Sequence, residues 1–257
     1  MKRVLPPLLV AAAIIGGWYA LAYSLDNNFA SGDGSALIVP PPHRLFEGIN
    51  SATVDRIASA AWISMTTALT GLFISMVIGL AVAIAMRYST ALERALWPWL
   101  IAVQVTPIIV LTPIIVRIVG PSFGARVMVT VLISFFPIVS NSLFGLRAVP
   151  SELHDLFTIA RMTKMKRLWQ LEIPAASPAM FAGLRVSAGL AVIGAIVGDF
   201  FFTRGTPGLG RLVTSFFQDT RSGSMFVTAF VAVFLGLGFF IVVEVARKLV
   251  VSPWHRP

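Results

Sequence analysis

The sequence predicts an all-α protein that crosses a membrane several times. Hydrophobic residues make up 57% of its 257 residues and charged residues only 12%, whereas soluble domains have roughly 45–50% and about 25%. Six apolar stretches reach the length of about 20 residues that a helix needs to cross a bilayer. They do not alternate apolar with polar residues, as the strands of a membrane barrel would.

Composition also excludes several classes of function. The chain has no cysteine, so disulfides, thiol catalysis and cysteine metal sites are impossible. Its histidines, His43, His154 and His255, are far apart in sequence, and we expect neither a metal centre nor a cofactor. The net charge of +9 is explained by membrane topology, and we therefore expect no nucleic-acid partner.

The predicted spans follow one another along the chain. Pro107 and Pro113 fall within the third span, where a kink is tolerated if neighbouring helices satisfy the freed carbonyl groups. Residues 26–59 form the longest external segment, because asparagine, glycine and proline mark it as a loop, and 52–59 suit a short interfacial helix. The six predicted spans are residues 4–25, 60–86, 95–116, 123–146, 178–202 and 225–251.

The N-terminal stretch is open to two interpretations. The stretch also has the features of a signal peptide, namely basic residues at Lys2 and Arg3, an apolar segment and small residues at 20–22. The apolar stretch is longer than is usual in signal peptides, which favours a retained first helix. We therefore predict one transmembrane domain over 1–257, with a first helix and external loop (1–58), a helical core (59–251) containing a loop at 150–175, and a cytoplasmic tail (252–257).

The distribution of basic residues predicts the orientation. Six spans place both termini on the same side, and cytoplasmic segments carry an excess of lysine and arginine. If both termini are cytoplasmic, the outer segments hold Arg44, Arg56, Arg117, Arg126, Arg204, Arg211 and Arg221. The inner segments then hold the larger set of Lys2, Arg3, Arg87, Arg94, Arg147, Arg161, Lys164, Lys166, Arg167, Arg247, Lys248 and Arg256. The charge count therefore favours cytoplasmic termini.

The loop between the fourth and fifth spans is rich in helix-forming residues. Ser151 can cap a helix, since acidic residues follow in the first turn, and apolar residues recur at Leu153, Leu156, Phe157 and Ala160. Pro174 closes the segment. The helix could lie on anionic lipid, or it could dock a cytoplasmic partner whose groove accepts Phe157 and Met162. The residues alone leave both interpretations open.

The spacing within this loop resembles the cytoplasmic motif of ABC importer permeases. That motif reads Glu-Ala-Ala, three residues, glycine, nine residues and Ile-x-Leu-Pro. Asp155-Leu156-Phe157 stand at its first three positions, and Leu171-x-Ile173-Pro174 stand at its last four. Arg161 stands where the family usually has glycine.

The flanking segments resemble the nitrate/sulfonate/taurine branch of that family. The resemblance covers roughly residues 59–251, and the Asp-Leu-Phe sequence is similar to permeases for thiamine-precursor or riboflavin-type heterocycles. It is carried by Phe136-Pro137-Ile138-Val139, Asn141, Gly145-Leu146-Arg147, Phe181-Ala182-Gly183-Leu184-Arg185, Gly194-Ala195-Ile196-Val197-Gly198-Asp199-Phe200, Gly205-Thr206 and Gly208-Leu209-Gly210, together with Thr106-Pro107 and Pro113 in the third span.

The resemblance implies a pore-forming subunit in the cell inner membrane. A second permease copy completes the pore, a cytoplasmic ATPase drives alternating access, and an external binding protein delivers a small solute. ATP would bind only the partner, since this chain has no phosphate-binding loop and the glycines at 205–210 suit a turn. The chain itself is then not an enzyme. The resemblance assigns ATPase coupling to Glu152, Asp155, Leu156, Phe157, Ala160, Arg161, Met162 and Pro174.

Polar residues within spans are candidates for the translocation pathway, because they are costly in lipid. We select Gln104, Thr106, Asn141 and Asp199. Such hydroxyl and amide groups also commonly bond their own backbone, and Asp199 could instead cap a helix or pair with Arg204 or Arg211. Two further ion pairs are expected at the inner interface, one between Arg185 and Glu172 unless Arg185 extends to the headgroups, and one between Glu244 and Arg247 or Lys248.

Three other classes of protein remain as alternatives. A channel or secondary transporter would need no ATPase, but such proteins use ion relays or selectivity rings within the membrane. Few acidic residues lie in the spans, which argues against proton coupling. A membrane enzyme would need a convergent catalytic set, and the sequence shows none. A structural scaffold has no sequence feature that favours it.

Overall fold

The computed structural model describes residues 5–29, 39–47, 49–202 and 205–251, and over these residues the chain is helical with no strand. The predicted tail at 252–257 and Arg204 lie outside the described residues. A short 3₁₀ turn spans Pro42–Arg44 and a π turn spans Leu168–Glu172. The α-helices are α1 (Leu5–Phe29), α2 (Ser51–Tyr88), α3 (Thr90–Val105), α4 (Ile108–Val119), α5 (Phe123–Arg147), α6 (Ser151–Ile159), α7 (Lys164–Arg167), α8 (Ile173–Phe200), α9 (Leu209–Gln218) and α10 (Ser222–Val251).

Four described helical segments are long and apolar enough to cross a membrane. They are Ser51–Tyr88, Phe123–Arg147, Lys164–Phe200 and Ser222–Val251. The pair α3 and α4 makes a fifth if it counts as one bent span, and the apolar part of α1 is shorter, at Leu8–Ser24. The predicted all-α multi-pass fold is confirmed, and the count of six spans stays a prediction.

The core of the bundle lies where α5 packs on α8 and α2. A Cβ added at Gly183 would lie 2.6 Å from the carbonyl oxygen of Pro137, so the two backbones can approach only because this residue is glycine. Hydroxyl groups link the same helices, since Ser75 Oγ lies 2.8 Å from Ser134 Oγ and Ser187 Oγ donates to the Ser134 carbonyl oxygen at 2.6 Å. Close packing and hydrogen bonds therefore hold the three helices together.

The third predicted span is broken rather than kinked. Helices α3 and α4 meet at an angle of 100°, and the residues between them, Thr106 and Pro107, have extended backbone with ψ of 124° and 114°. A residue before proline is driven out of the helical region by the proline ring, which explains why the break falls here. Pro113 lies inside α4.

Two loop predictions are corrected by longer helices. Residues 52–59 are the first turns of α2, whose N-cap Asn50 accepts a hydrogen bond from the Thr53 N–H at 2.9 Å. Pro174 does not end the loop, because one continuous helical segment extends over Lys164–Phe200. Since proline lacks an N–H and its ring displaces the preceding carbonyl, the π turn at Leu168–Glu172 directly before it accommodates the change in hydrogen bonding.

Candidate functional site

Helix α6 is the exposed element between two membrane spans. Pro150 precedes it without a side-chain cap, so the prediction that Ser151 caps the helix is wrong, and Ser151 is its first residue. No residue of the described α6 is buried. Its apolar residues Leu153, Leu156 and Ile159 are 37%, 60% and 80% exposed. Their spacing of three places them on one helical face, which we call the α6 stripe.

Helix α6 ends in a Schellman motif, a pair of backbone hydrogen bonds that closes a helix C-terminus. The Met162 N–H donates to the Phe157 carbonyl and the Arg161 N–H donates to the Thr158 carbonyl, both at 3.0 Å. Arg161 has φ of 49°, in the left-handed region that favours glycine. The residue that departs from the family motif thus adopts the backbone conformation that glycine would supply, so the turn is retained.

Phe157 and Met162, expected to enter a partner's groove, are only half-exposed in this chain. They occupy the two positions whose side chains commonly touch in a Schellman motif. Glu152, Asp155 and Ala160 are exposed beside the α6 stripe. The outer face of α6 therefore presents acidic and apolar groups together, and Phe157 and Met162 lie behind them.

A buried carboxylate lies behind α6. Glu172 is 1% exposed, and its Oε2 accepts a hydrogen bond from Tyr88 Oη at 2.9 Å. Its Oε1 lies 3.5 Å from Arg87 Nη2 and 3.8 Å from His154 Nδ1. We call these residues the Glu172 cluster. It brings the end of α2, helix α6 and the π turn to one point, which we call the α6 end of the bundle.

Three other ion pairs lie on α3, α5, α8 and α10. Arg147 binds both carboxylate oxygens of Glu93, which joins the end of α5 to α3. Arg185 Nη1 lies 3.4 Å from Glu244 Oε2, so the expected pair of Arg185 with Glu172 is wrong. Glu244 also accepts hydrogen bonds from Arg247 at 3.0 and 2.6 Å, which confirms the predicted pair within α10.

The opposite end of α8 carries a second buried ion pair. Asp199 is buried, and its Oδ1 lies 3.0 Å from Nη2 of Arg126, which is also buried. Its Oδ2 accepts a hydrogen bond from the Arg211 N–H at 2.8 Å, in the first turn of α9, where a negative charge complements the helix dipole. The guanidinium of Arg126 also donates to the Thr206 carbonyl at 3.0 Å. These contacts match the alternative in which Asp199 caps a helix.

Sequence reasoning missed both α9 and Arg126. Helix α9 buries Leu209, Leu212 and Phe216, and its first N–H, on Leu209, donates to Ser64 Oγ at 2.9 Å. The spacing of the three apolar residues is helical and could have revealed the helix. No local signal pairs Arg126 with Asp199, because they are far apart in sequence. We call this region, where α9 lies, the α9 end of the bundle.

The remaining pathway candidates lie on two helices and a break. Gln104 is exposed on α3. Thr106, at the break, donates to the Ala102 carbonyl at 2.7 Å, and Asn141, half-buried on α5, donates to the Pro137 carbonyl at 2.8 Å. Within the described part of the chain, no group of three or more histidine, aspartate or glutamate residues could hold a metal ion.

Apolar helices long enough to span a membrane, with a short exposed helix between two of them, define a multi-pass membrane protein. The chain belongs to the family described as the binding-protein-dependent transport system inner membrane component, whose profile matches residues 75–252. It is therefore the permease subunit of an ABC importer. It is not itself an enzyme, since the ATPase of such an importer is a separate subunit. The family resemblance seen in the sequence is confirmed.

Two curated relatives and one solved structure illustrate the similarity. The formylaminopyrimidine transport permease protein ThiX of Halalkalibacterium halodurans is 33% identical over 72% of this chain and 73% of its own. The putative aliphatic sulfonates transport permease protein SsuC of Bacillus subtilis is 23% identical over 85% and 76%. The inward-facing MetNI methionine ABC transporter shares the fold, with a TM-score of 0.68 and 16% identity over 81% of this chain and 100% of the matched chain.

Proposed function

We propose that this permease moves a small organic solute from an external binding protein into the cytoplasm by ATP-driven alternating access. The observation that carries the proposal is the exposure of the α6 stripe. Leucine and isoleucine side chains on a short helix gain roughly 1.5–3 kcal/mol each when fully buried. No element of the described chain covers them, so the ATPase subunit is the partner that would.

The coupling residues follow from this surface. Leu156 and Ile159 supply the apolar contact, and Glu152 and Asp155 offer charges beside it. Phe157 and Met162 support the helix from behind, and Ala160 and Arg161 form the turn that ends it. Pro174 contributes indirectly, because it lies where the π turn passes into α8. An exposed helical face with defined anchor residues is a common way for one protein to grip another.

The mechanism rests on how α6 joins the spans. Helix α6 is connected to α5 by residues 148–150 and to α8 through the continuous segment that begins at Lys164. When ATP closes the two ATPase subunits, α6 moves as a rigid body and α5 and α8 tilt with it. The pore then opens outward, and hydrolysis resets it. ATP binding biases an equilibrium between two states.

A second copy of this chain would complete the pore. Ile109, Val110, Ile114 and Ile118 on α4 are exposed, and this apolar face suits contact with another permease or with lipid. Gln104, Thr106 and Asn141 remain our proposed pathway residues, and we retain Asp199 at its outer end. Both termini are proposed to be cytoplasmic, because the basic residues concentrate on the α6 side of the predicted spans.

A heterocyclic substrate is favoured over a sulfonate or nitrate. The relative named for formylaminopyrimidine is 33% identical to this chain and the relative named for aliphatic sulfonates is 23% identical. The Asp-Leu-Phe sequence at 155–157 points the same way. In reconstituted vesicles, we expect uptake of formylaminopyrimidine and little uptake of an aliphatic sulfonate. The reverse preference would overturn this assignment.

The coupling surface is tested by the double variant Leu156→Asp with Ile159→Asp. Charges on the α6 stripe should abolish co-purification with the ATPase and ATP-dependent uptake, while thermal unfolding stays unchanged because neither residue is buried. Phe217→Asp is the matched control, since Phe217 is equally exposed on α9 and should leave ATPase binding intact. A channel or secondary transporter would keep its transport activity in the double variant.

A further inference from the structure

Glu172 gathers side chains from helices that are distant in sequence. Tyr88 and Arg87 come from the end of α2 and His154 comes from α6, all within 3.8 Å of its carboxylate oxygens. Arg87 also donates from Nε to the Leu146 carbonyl at 3.2 Å, near the end of α5. One carboxylate thus accepts a hydrogen bond from α2, lies 3.8 Å from His154 of α6 and reaches α5 through Arg87.

Burial of this carboxylate is expensive if stability is its only role. Replacing a buried ion pair by well-packed apolar residues is often neutral or stabilising. Such polar groups specify one arrangement of the elements that meet there, because each partner must remain in place to satisfy the others. The carboxylate also lies in a π turn, an irregular element frequent at functional sites. Glu172 lies between the spanning helix α2 and the exposed helix α6, so it can specify how these two helices are arranged relative to each other.

The connectivity of the chain shows what Glu172 adds. Helix α6 lies between α5 and α8 in sequence, so both are pulled directly when α6 moves. Helix α2 has no such chain connection to α6, because α3, α4 and α5 separate them in sequence, although α2 packs on α5 and α8 along the bundle. Its contact with α6 runs through the His154, Glu172 and Arg87–Tyr88 side chains. His154 is the inward-facing member, with a side chain 18% exposed.

We infer that Glu172 is a positioning residue that transmits movement of α6 to α2, so that α2 tilts together with α5 and α8 during transport. This inference rests on the proposed ATP-driven function. It assigns Glu172 no contact with substrate or nucleotide. Removing its charge should therefore leave ATPase binding intact and should remove the direct route from α6 to α2, so that only packing on α5 and α8 moves α2.

The absence of cysteine allows single spin labels to follow the two helices separately. Val54→Cys reports on α2 and Phe123→Cys reports on α5, since both residues are exposed and lie at the α9 end. The permease–ATPase complex is placed in lipid nanodiscs with one label in each permease copy. The distance between the two labels is measured by pulsed electron paramagnetic resonance without nucleotide and after trapping with ATP and vanadate.

In the unmodified background, nucleotide trapping should shift the distances at both label positions. With Glu172→Gln, the Phe123 shift should remain while the Val54 shift falls by about half or more, because coupling between sites depends on such contacts. His154→Ala should likewise retain the Phe123 shift and reduce the Val54 shift. It tests the same connection from the α6 side and leaves no unpaired buried charge on α6. Glu93→Gln is the matched control, since Glu93 joins α3 to α5 and does not touch α6, and it should preserve both shifts.

The outcomes separate the two proposals. If Glu172→Gln and His154→Ala both retain the full Val54 and Phe123 shifts, the positioning role of Glu172 is overturned and the proposed ATP-driven function stands. Equal loss of both shifts in an assembled complex also overturns it, because the effect would then be general rather than specific to α2. A background complex that shifts at neither position overturns the proposed ATP-driven function and, with it, this inference. If Glu172→Gln does not assemble, His154→Ala alone decides the result.

Discussion

Helices α6 and α9 are two short amphipathic helices at opposite ends of α8, and they differ in where their apolar residues go. Both end in the same Schellman hydrogen-bond pattern, since Arg221 and Thr220 N–H groups bond Phe216 and Phe217 carbonyls at 2.9 and 3.2 Å. Both also place a non-glycine residue in the left-handed region, Arg161 at φ 49° and Thr220 at φ 56°. Yet α9 buries its apolar face inside the chain, whereas α6 exposes its own.

This difference separates a helix that packs within the described chain from one for which we propose another subunit as the partner. Helix α9 is held by backbone groups, because Asp199 and Ser64 accept hydrogen bonds from its first-turn N–H groups. Helix α6 has no side-chain cap at its N-terminus, and its His154 Nδ1 lies 3.8 Å from Glu172 Oε1. Local architecture alone therefore does not reveal which helix is functional.

The largest expected effect is at the α9 end. Asp199→Ala leaves the Arg126 guanidinium buried without its carboxylate and should destabilise the permease by about 3–5 kcal/mol. Thermal unfolding of the purified complex in detergent measures the loss. Asp219→Ala, at the exposed C-terminal end of α9, is the control and should have little effect. A loss of stability at Asp199 no larger than at Asp219 would contradict a fastening role.

The next prediction compares equivalent leucines on the two helices. Leu212→Ala empties a fully buried position on α9 and should cost about 2–5 kcal/mol of unfolding free energy. Leu156→Ala, on the exposed α6 stripe, should change stability by less than about 0.5 kcal/mol but weaken ATPase binding. Unfolding and co-purification measured on both variants give the comparison. Equal destabilisation by the two substitutions would show that the α6 stripe is covered within the chain.

The smallest effect concerns the feature that the two helices share. Arg161→Gly and Thr220→Gly relieve a left-handed backbone and should each stabilise the local turn by about 0.5–1 kcal/mol, because the steric cost removed exceeds the entropy that glycine adds. Amide hydrogen exchange at Met162 and Arg221, the donors that close the two motifs, measures the gain. Faster exchange at either amide would show that the side chain, and not the backbone, holds that turn.

Hydropathy predicts the long helices because lipid imposes a minimum length on each span. Helices α2, α5, α8 and α10 were therefore visible in sequence, with ends that differ only where they extend into the loops. Helix α9 was not, since its ten residues are too short to register as a span. At Pro107 the sequence predicts a kink and the structure has a 100° break, because the sequence does not show whether neighbouring helices satisfy the freed carbonyl groups.

The polar clusters were the hardest features to predict. The sequence predicts a loop over 150–175 that Pro174 closes, whereas the structure places Glu172 in a π turn that leads into α8. The partners of Asp199 and Arg185 depend on which helices pack together, and charge alone does not encode that choice. Helix α6, our proposed coupling helix, is predicted from its family motif, whereas its exposed apolar face is visible only in the structure.

The break between α3 and α4 has a consequence for hydration. The last carbonyl groups of a helix have no donor within it, and Pro107 removes the N–H that would have continued the ladder. Unpaired carbonyl groups are costly in the hydrocarbon core of a bilayer, so they need a hydrogen bond from water or from a protein donor. The 100° corner therefore requires water or a protein donor beside its free carbonyl groups, and Thr106 lies directly at this corner.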